Sequence, residues 1–268
     1  MKKLNEGIKV QNTNAKRRDT IEKVHLQTAN ANFLAMTTST KSQSSFPCTL
    51  FVMNDIDSIV ESEFNEWYQT EHVRQRMQIP GFLSARRYRA LGESQAYMAI
   101  YSCTEVGVLD QPQYKEILVE PTPLTKKMMP HFRNMVRSAC DETWSAGTGL
   151  GGEAVVLRCA PQPGQEQFAR DFIAQTLYPQ FARANCLVRL ALWEASGSVG
   201  AAPSPEEARR GKPDERVNWV IFFEAYDLKA CETLLQQPAM QLAFTQHGLV
   251  LQAQASYRLI STFEAEVQ

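Results

Sequence analysis

The chain has 268 residues, 44% of them hydrophobic and 21% charged, an ordinary globular composition that leaves room for one large domain or two of about 100 residues. Its 28 basic and 29 acidic residues leave a net charge of −1, which excludes a chain built around nucleic-acid phosphates, since those need a basic surplus. No apolar run approaches the roughly 20 residues of a membrane-spanning helix, so neither nucleic acid nor membrane is an expected partner.

Residues 1 to about 46 are rich in Asn, Thr, Gln, Ser and Lys, and Met36–Ser45 is almost wholly polar. Such a stretch buries too little surface to offset its ordering entropy, so 1–46 reads as a mobile tail, with Met36 an alternative translation start. Lys2, Lys3, Lys16, Arg17 and Arg18 are followed by no apolar core, and Glu6, Asp19 and Glu22 interrupt the charge. No targeting segment is read there, and the cytoplasm is the expected location. The six cysteines contain no C-x-x-C pair and read as small buried hydrophobes of a reducing compartment, with disulfides the minor alternative.

Pro47–Ile56 has the β-branched and aromatic content of a strand. Ser58 to Met77 has helical periodicity, Val60, Phe64, Trp67, Tyr68 and Glu71 sharing one face at about 100° per residue, and Pro80-Gly81 ends it. Phe82–Ala90 and Ala96–Cys103 are strands joined by the turn Leu91–Gln95. A helix is predicted over Lys126–Val136 and a short strand over Arg137–Trp144. The order is β-α-β-β-α-β, the split βαβ or ferredoxin-like unit.

Ser145–Gly152 has the composition of a flexible linker, after which the order recurs. Glu153–Ala160 reads as a strand and Gln165–Ala184 as a helix. The strand pair Leu187–Ala195 and Asn218–Tyr226 follows, then a helix over Lys229–Phe244 and a strand over Ala255–Phe263. The insertion Ser196–Val217, rich in Gly, Ala, Pro and charge, reads as a disordered hairpin loop. The predicted domains are thus a first repeat over 47–145 and a second over 153–265.

Each four-stranded sheet covers one face with its helices and leaves the other bare. Strands such as Phe51/Met53 with Leu50/Val52 are apolar on both faces and want cover on both. The expected fold is therefore α+β: two ferredoxin-like repeats packed sheet to sheet as an internal pseudo-dimer, with helices outside. Since the repeats satisfy each other, the chain is expected to be a monomer or a homodimer.

The sharpest chemical feature is Glu63–Phe82. Glu71 falls in the apolar stripe and His72 lies at its edge, one turn beyond Tyr68. A carboxylate placed there must be paired, and Arg86 and Arg87 on the next strand are the nearest partners. An imidazole beside such a pair titrates in the range useful for acid–base catalysis. The plainer reading has Glu71 in a structural ion pair, His72 as a hydrogen-bonded structural residue, and Trp67 and Tyr68 as core.

The run EWYQTEHVRQRMQIPGFLSARRY, from Glu66 to Tyr88, resembles the EthD-like branch of the dimeric α+β barrel superfamily, as does Pro121–Phe132 (PTPLTKKMMPHF). The resemblance covers residues 47 to about 145; over 153–265 only element order and apolar pattern match. It implies ligands held between sheet and helices. It also implies an activity from a superfamily of cofactor-independent oxygenases, polyketide cyclases, lactone isomerases, dehydratases and haem-binding proteins. The motif histidine falls on His72, and in such enzymes a pocket histidine often acts as acid or base. Fold alone does not name the reaction.

Aligning Phe168 with Phe64 puts Gln175 opposite Glu71 and Thr176 opposite His72, so chemistry is expected once per chain. His131, beside Met128, Met129 and Pro130, is a second candidate for the same pocket or else a surface residue at a helix end. His247 precedes Gly248 at a helix end and His25 lies in the tail. No His/Cys/Asp/Glu group has metal-site spacing, and no P-loop or G-x-S-x-G elbow is present.

The expected function is a cofactor-independent lyase, dehydratase or isomerase acting on a small apolar carbonyl or aromatic compound. His72 would move the proton, Glu71 would orient it, and Arg87 would pair Glu71 or an anionic substrate group. Trp67, Tyr68, Tyr88 and Phe51 would shape the pocket. The alternatives are a haem-binding protein with His72 or His131 as axial ligand, and a non-catalytic small-molecule-binding protein.

Overall fold

Eight antiparallel strands close into one barrel in the order β1-β3-β2-β8-β5-β7-β6-β4. The strands are β1 Cys48–Ile56, β2 Phe82–Ala90, β3 Tyr97–Cys103, β4 Phe132–Gly147, β5 Glu153–Pro161, β6 Leu187–Ala195, β7 Trp219–Ala225 and β8 Leu249–Glu264. This computed structural model describes residues 47–197 and 203–265, all within one compact unit, 45–268. The tail reading of 1–46 lies outside the described residues. No helix among them is long and apolar enough to cross a membrane.

The strand order within each half, β4-β1-β3-β2 and β6-β7-β5-β8, is that of a ferredoxin-like repeat. Closure comes from two strands of 16 residues each. The first part of β4 pairs with β1, and its end, Cys140 to Gly147, pairs with β6. Likewise β8 pairs with β5 and then, from Tyr257 to Glu264, with β2. Each long strand therefore serves its own sheet with one half and the partner sheet with the other, and no exposed edge remains between repeats.

This corrects two sequence expectations. The helix expected over Lys126–Val136 ends at Met128, and β4 starts at Phe132. The linker expected at Ser145–Gly152 begins inside β4, where Ser145, Ala146 and Gly147 pair with Ala191, Leu190 and Arg189. Gly147 is needed there for space: its φ is +91°, and a Cβ would stand 2.2 Å from the Val188 carbonyl.

Helices lie outside the barrel. In the first repeat α1 (61–77) runs α-helical over Glu61–Trp67, makes a π-turn at Tyr68–His72, and resumes over Val73–Met77. It is followed by α2 Pro112–Val119 and α3 Pro123–Met128. The second repeat repeats the irregularity in α4 (166–183), whose π-turn is Ile173–Leu177. Its later helices, α6 Leu228–Leu235 and α7 Pro238–Gln246, break at Pro238 the single helix expected over Lys229–Phe244.

Of the insertion expected to be disordered, residues 203–217 are described and have defined structure. It forms α5, Pro205–Arg210. Ser204 and Glu207 close a capping box at its start, and Gly211 ends it in the left-handed region, φ +71°. Glu215 then exchanges backbone hydrogen bonds with Met135 and Arg137 of β4, at 2.8 and 2.9 Å. This strap, 203–217, belongs in sequence to the second repeat and lies against the first.

Three apolar clusters follow from the alternation of the strands. One lies between the first sheet and its helices and another between the second sheet and its helices. The third fills the barrel interior with residues including Phe51, Met53, Tyr88, Met98, Trp193, Phe222 and Tyr257. Trp193 stacks on Phe222 at 4.7 Å and Phe51 tilts against Trp193 at 6.0 Å. The interior is packed core around these rings, and the space next to His72 lies elsewhere.

Candidate functional site

That space lies outside the first sheet, beneath α1. Phe64, Trp67 and Tyr68 bury the first turns of α1 against Phe132 and Tyr97 in an edge-to-face aromatic cluster, Phe64 lying 5.5 and 5.0 Å from those two rings. The π-turn then adds one residue to the turn. Its effect is to bring side chains five apart onto one face, so His72, not Glu71, continues the stripe of Trp67. Such π-turns often mark functional positions. The imidazole lies tilted against the rings of Trp67 and Tyr68, with centroids 4.4 and 4.6 Å away.

Glu71 is turned to the side. It accepts from Trp67 Nε1 at 3.1 Å and Thr125 Oγ1 at 3.2 Å, and from Thr122 Oγ1. Neither arginine expected as its partner touches it. Arg86 points into the barrel and pairs with buried Glu224 at 2.7 Å. Arg87, on the helix side of β2, donates to Asn65 Oδ1 at 3.0 Å and holds its guanidinium 4.2 Å from the Tyr68 ring centroid. The error in the sequence reading is one of phase: uniform 100° steps cannot foresee the π-turn.

The cavity is small and is lined by thirteen residues of both repeats. Its floor is Leu50 and Val52 of β1 with Tyr101 of β3 and Arg137 of β4. These are neighbours by register, Leu50 opposite Tyr101 and Val52 opposite Arg137. One wall is Tyr68, His72 and Arg76 of α1, and the strap supplies Glu206 and Arg210 as a roof. At its core the cavity admits about one water molecule.

Charge in this site is concentrated and buried. Arg76 donates to the His72 carbonyl at 3.1 Å and to Glu206 Oε1 at 3.0 Å. Arg210 chelates Asp214 at 2.9 and 2.6 Å. Arg137, 6% exposed, donates to the Tyr114 hydroxyl at 2.9 Å and forms no ion pair among the described residues. The Tyr101 hydroxyl donates to that of Tyr68 at 3.0 Å.

His72 is 6% exposed and its Nδ1 has no hydrogen-bond partner. Burial first, then the positive charges of Arg76, Arg87 and Arg210, push its pKa well below the ordinary 6.5. It is therefore a neutral imidazole at pH 7. An orphaned, fully enclosed ring nitrogen is costly in a native protein and calls for an explanation.

The remaining sequence candidates divide. Tyr68 lines the cavity. Trp67 supports His72 from behind. Tyr88 and Phe51 face the barrel interior, because β-strand alternation sends them to the opposite side from Arg87 and from Leu50 and Val52. His131 bonds Asp57 Oδ2 at 3.0 Å and is absent from the cavity lining.

In the second repeat the equivalent π-turn places Leu177, not Thr176, opposite His72. Leu177 is wholly buried, and the exposed Phe168 used for the alignment is not the equivalent of Phe64. The site is thus single. Sequence reasoning missed Arg76, Tyr101, Tyr114, Arg137, Glu206 and Arg210. Only the strap had a legible signal: Ser204-Pro205-Glu206-Glu207 ending at Gly211 is a capping-box helix with a glycine stop.

Among the described residues no group of three or more His, Cys, Asp or Glu side chains is placed to hold a metal, and all six cysteines are buried free thiols. No protein-family model matches the chain, and no curated protein is significantly similar to it. Solved structures do share its fold. An anthrone oxidase-like protein superposes with TM-score 0.61 at 11% identity, covering 83% of this chain and 94% of the other. A provisionally named monooxygenase of Fusobacterium nucleatum gives 0.55 at 8% identity, over 83% and 96%. A provisionally named chlorite dismutase gives 0.52 at 11% identity, over 81% and 96%. At these identities the likeness is one of fold, and the fold is the dimeric α+β barrel closed within a single chain.

Proposed function

We propose that this chain is a cofactor-independent enzyme that moves a proton on a small carbonyl or aromatic compound, with His72 as the acid–base group. The observation that carries the reading is the enclosed, neutral imidazole with an unpartnered Nδ1, set in a cavity walled by guanidinium groups and tyrosine hydroxyls. A base held neutral at pH 7 can accept a proton from carbon. Guanidinium groups fixed nearby can stabilise the enolate oxygen as charge develops, in a site where water does not compete. The imidazolium so formed is disfavoured by the same arginines, which favours prompt return of the proton to the substrate. That sequence suits an isomerase, dehydratase or lyase of the EthD-like kind.

Glu71 takes no part in this scheme beyond fixing α1 to α3, and Arg87 acts through Tyr68. The same first proton abstraction also precedes cofactor-free oxygenation, the reaction class suggested by neighbours named as an anthrone oxidase-like protein and a monooxygenase. Haem fits this site poorly. His72 is covered by Trp67 and Tyr68, and His131 is engaged by Asp57.

The test is proton exchange. Small β-keto and hydroxyaryl carbonyl compounds are incubated with enzyme in D2O and followed by NMR, with dissolved oxygen monitored. Exchange catalysed by the wild type is expected to fall roughly 10²-fold or more in His72→Ala and His72→Gln. Undiminished exchange in both variants would sink the proposal.

A further inference from the structure

The ion pairs around the cavity do not balance. Among its lining side chains are three guanidiniums, Arg76, Arg137 and Arg210, and one carboxylate, Glu206. Arg76 is matched by Glu206 at 3.0 Å and Arg210 by Asp214 at 2.6 Å. Arg137 forms no salt bridge of its own among the described residues: its side chain bonds the neutral Tyr114 hydroxyl, and the Glu206 and Asp214 carboxylates, each paired with another arginine, hold it charged from farther off. A buried guanidinium with no direct counter-ion is open to an anionic partner. Next to it His72 keeps an unpartnered nitrogen, and the Arg210 Nε is likewise buried without a partner. Two unpartnered nitrogens and a guanidinium without a salt bridge thus share one small enclosure.

The other walls are apolar. Leu50, Val52, Tyr68, Met129 and Phe132 line the same space. A ligand suited to all of it has one anionic end and a flat, apolar body. We infer that the cavity takes a small planar organic acid, its carboxylate set on Arg137 and its ring or unsaturated body against Tyr68 and Phe132. The inference deepens the proposed function and rests on the same cavity being the substrate site.

The route inward is visible. A second, more open cleft, lined by Arg133, Asn134, Lys212 and Pro213, shares Phe132, Met135 and Arg210 with the cavity. Arg210 and the strap therefore stand between solvent and Arg137, and a ligand larger than water must displace them to enter.

Acetate and benzoate serve as probes, with benzamide and benzyl alcohol as neutral counterparts, and binding is read by calorimetry and by the fluorescence of Trp67 against His72. Benzoate is expected to bind at least about tenfold more tightly than benzamide, a difference of about 1.4 kcal/mol. Arg137→Met should remove that preference and Arg137→Lys restore part of it. Arg137→Met breaks no salt bridge and puts an apolar side chain in a buried position, so it is expected to fold, which circular dichroism checks, and Arg137→Lys keeps the charge. Arg170→Met, which loses a pair with Glu194 and a contact with the Trp219 ring in the second repeat, should bind benzoate as the wild type does. The His72 ring resonance adds a second readout: its titration midpoint should rise when benzoate is bound, because an anion offsets the neighbouring guanidiniums.

Equal affinity for benzoate and benzamide, unchanged binding by Arg137→Met, or no binding of either acid would overturn the assignment. Arg137-dependent benzoate binding in a protein that exchanges no substrate proton would keep this assignment and remove the catalytic reading. His72-dependent exchange with no preference for anions would do the reverse.

Discussion

Arg76 Nη2 stands 3.0 Å from Glu206 Oε1, with both side chains less than a tenth exposed, and this pair joins helix α1 of the first repeat to the strap of the second. The strap is thereby part of the site. Its carboxylate neutralises a cation one turn beyond His72, and its Arg210 closes the roof.

Removing one member of this pair leaves an uncompensated buried charge. Glu206→Leu and Arg76→Leu are each expected to destabilise the fold by about 3–5 kcal/mol. The double variant should lose much less than the sum, because two apolar side chains replace the pair. Urea unfolding of all four proteins gives the coupling energy, and additive losses would mean the pair is solvated in solution.

Acidification should act on His72. Its folded pKa lies well below 6.5, so the unfolded imidazole binds a proton near pH 6.5 while the folded one does not. Stability is therefore fully present above pH 6.5 and is lost as pH falls, by up to about 1.4 kcal/mol per pH unit, until the folded pKa is reached. The unfolding free energy of the wild type minus that of His72→Gln, measured from pH 7.5 to pH 5, should show this slope. A flat difference would place the imidazole in water.

Glu71 gives a contrast. It is bonded to Trp67, Thr122 and Thr125 and makes no contact with the His72 ring. Glu71→Gln is expected to cost about 1–2 kcal/mol of stability and to leave the His72 titration in place. A shift in that titration of a full pH unit, read by NMR, would restore Glu71 to the site.

The strap is anchored by Arg209, which donates to the Leu118 and Val119 carbonyls at 2.5 and 2.6 Å at the end of α2. Arg209→Ala should loosen it. Hydrogen exchange is expected to quicken at least several-fold over 204–216 and over 116–120, with the barrel strands unchanged. Benzoate should slow exchange in the wild-type strap.

Much of the architecture was legible. Phe82–Ala90 and Leu187–Ala195 are strands with the bounds read from their composition, and the repeated β-α-β-β-α-β order identified the pseudo-dimer. These features are local, set by apolar alternation and by Gly and Pro punctuation. Strand length was not local: β4 and β8 run on because a second sheet is there to pair with, and Ser145–Gly147 becomes strand despite its composition.

The site was half legible. The motif around Trp67, Tyr68 and His72 marked the right helix, and His72 does face the cavity. Its neighbours were misassigned because a single added residue in the π-turn rotates every later side chain by about 100°. Arg76 and Glu206, which form one ion pair, lie 130 positions apart, with Arg137 between them in sequence, a separation across which sequence carries no pairing signal.

By itself, then, the sequence determined where most of the strands lie and that the β-α-β-β-α-β order occurs twice. Tertiary structure alone decided that the barrel closes by strand exchange and that a strap from the second repeat roofs the candidate site on the first. The division has a physical cause. Local periodicity is written in neighbouring residues, whereas a buried charge finds its partner only when the chain has folded, through burial that makes every unpaired ion costly.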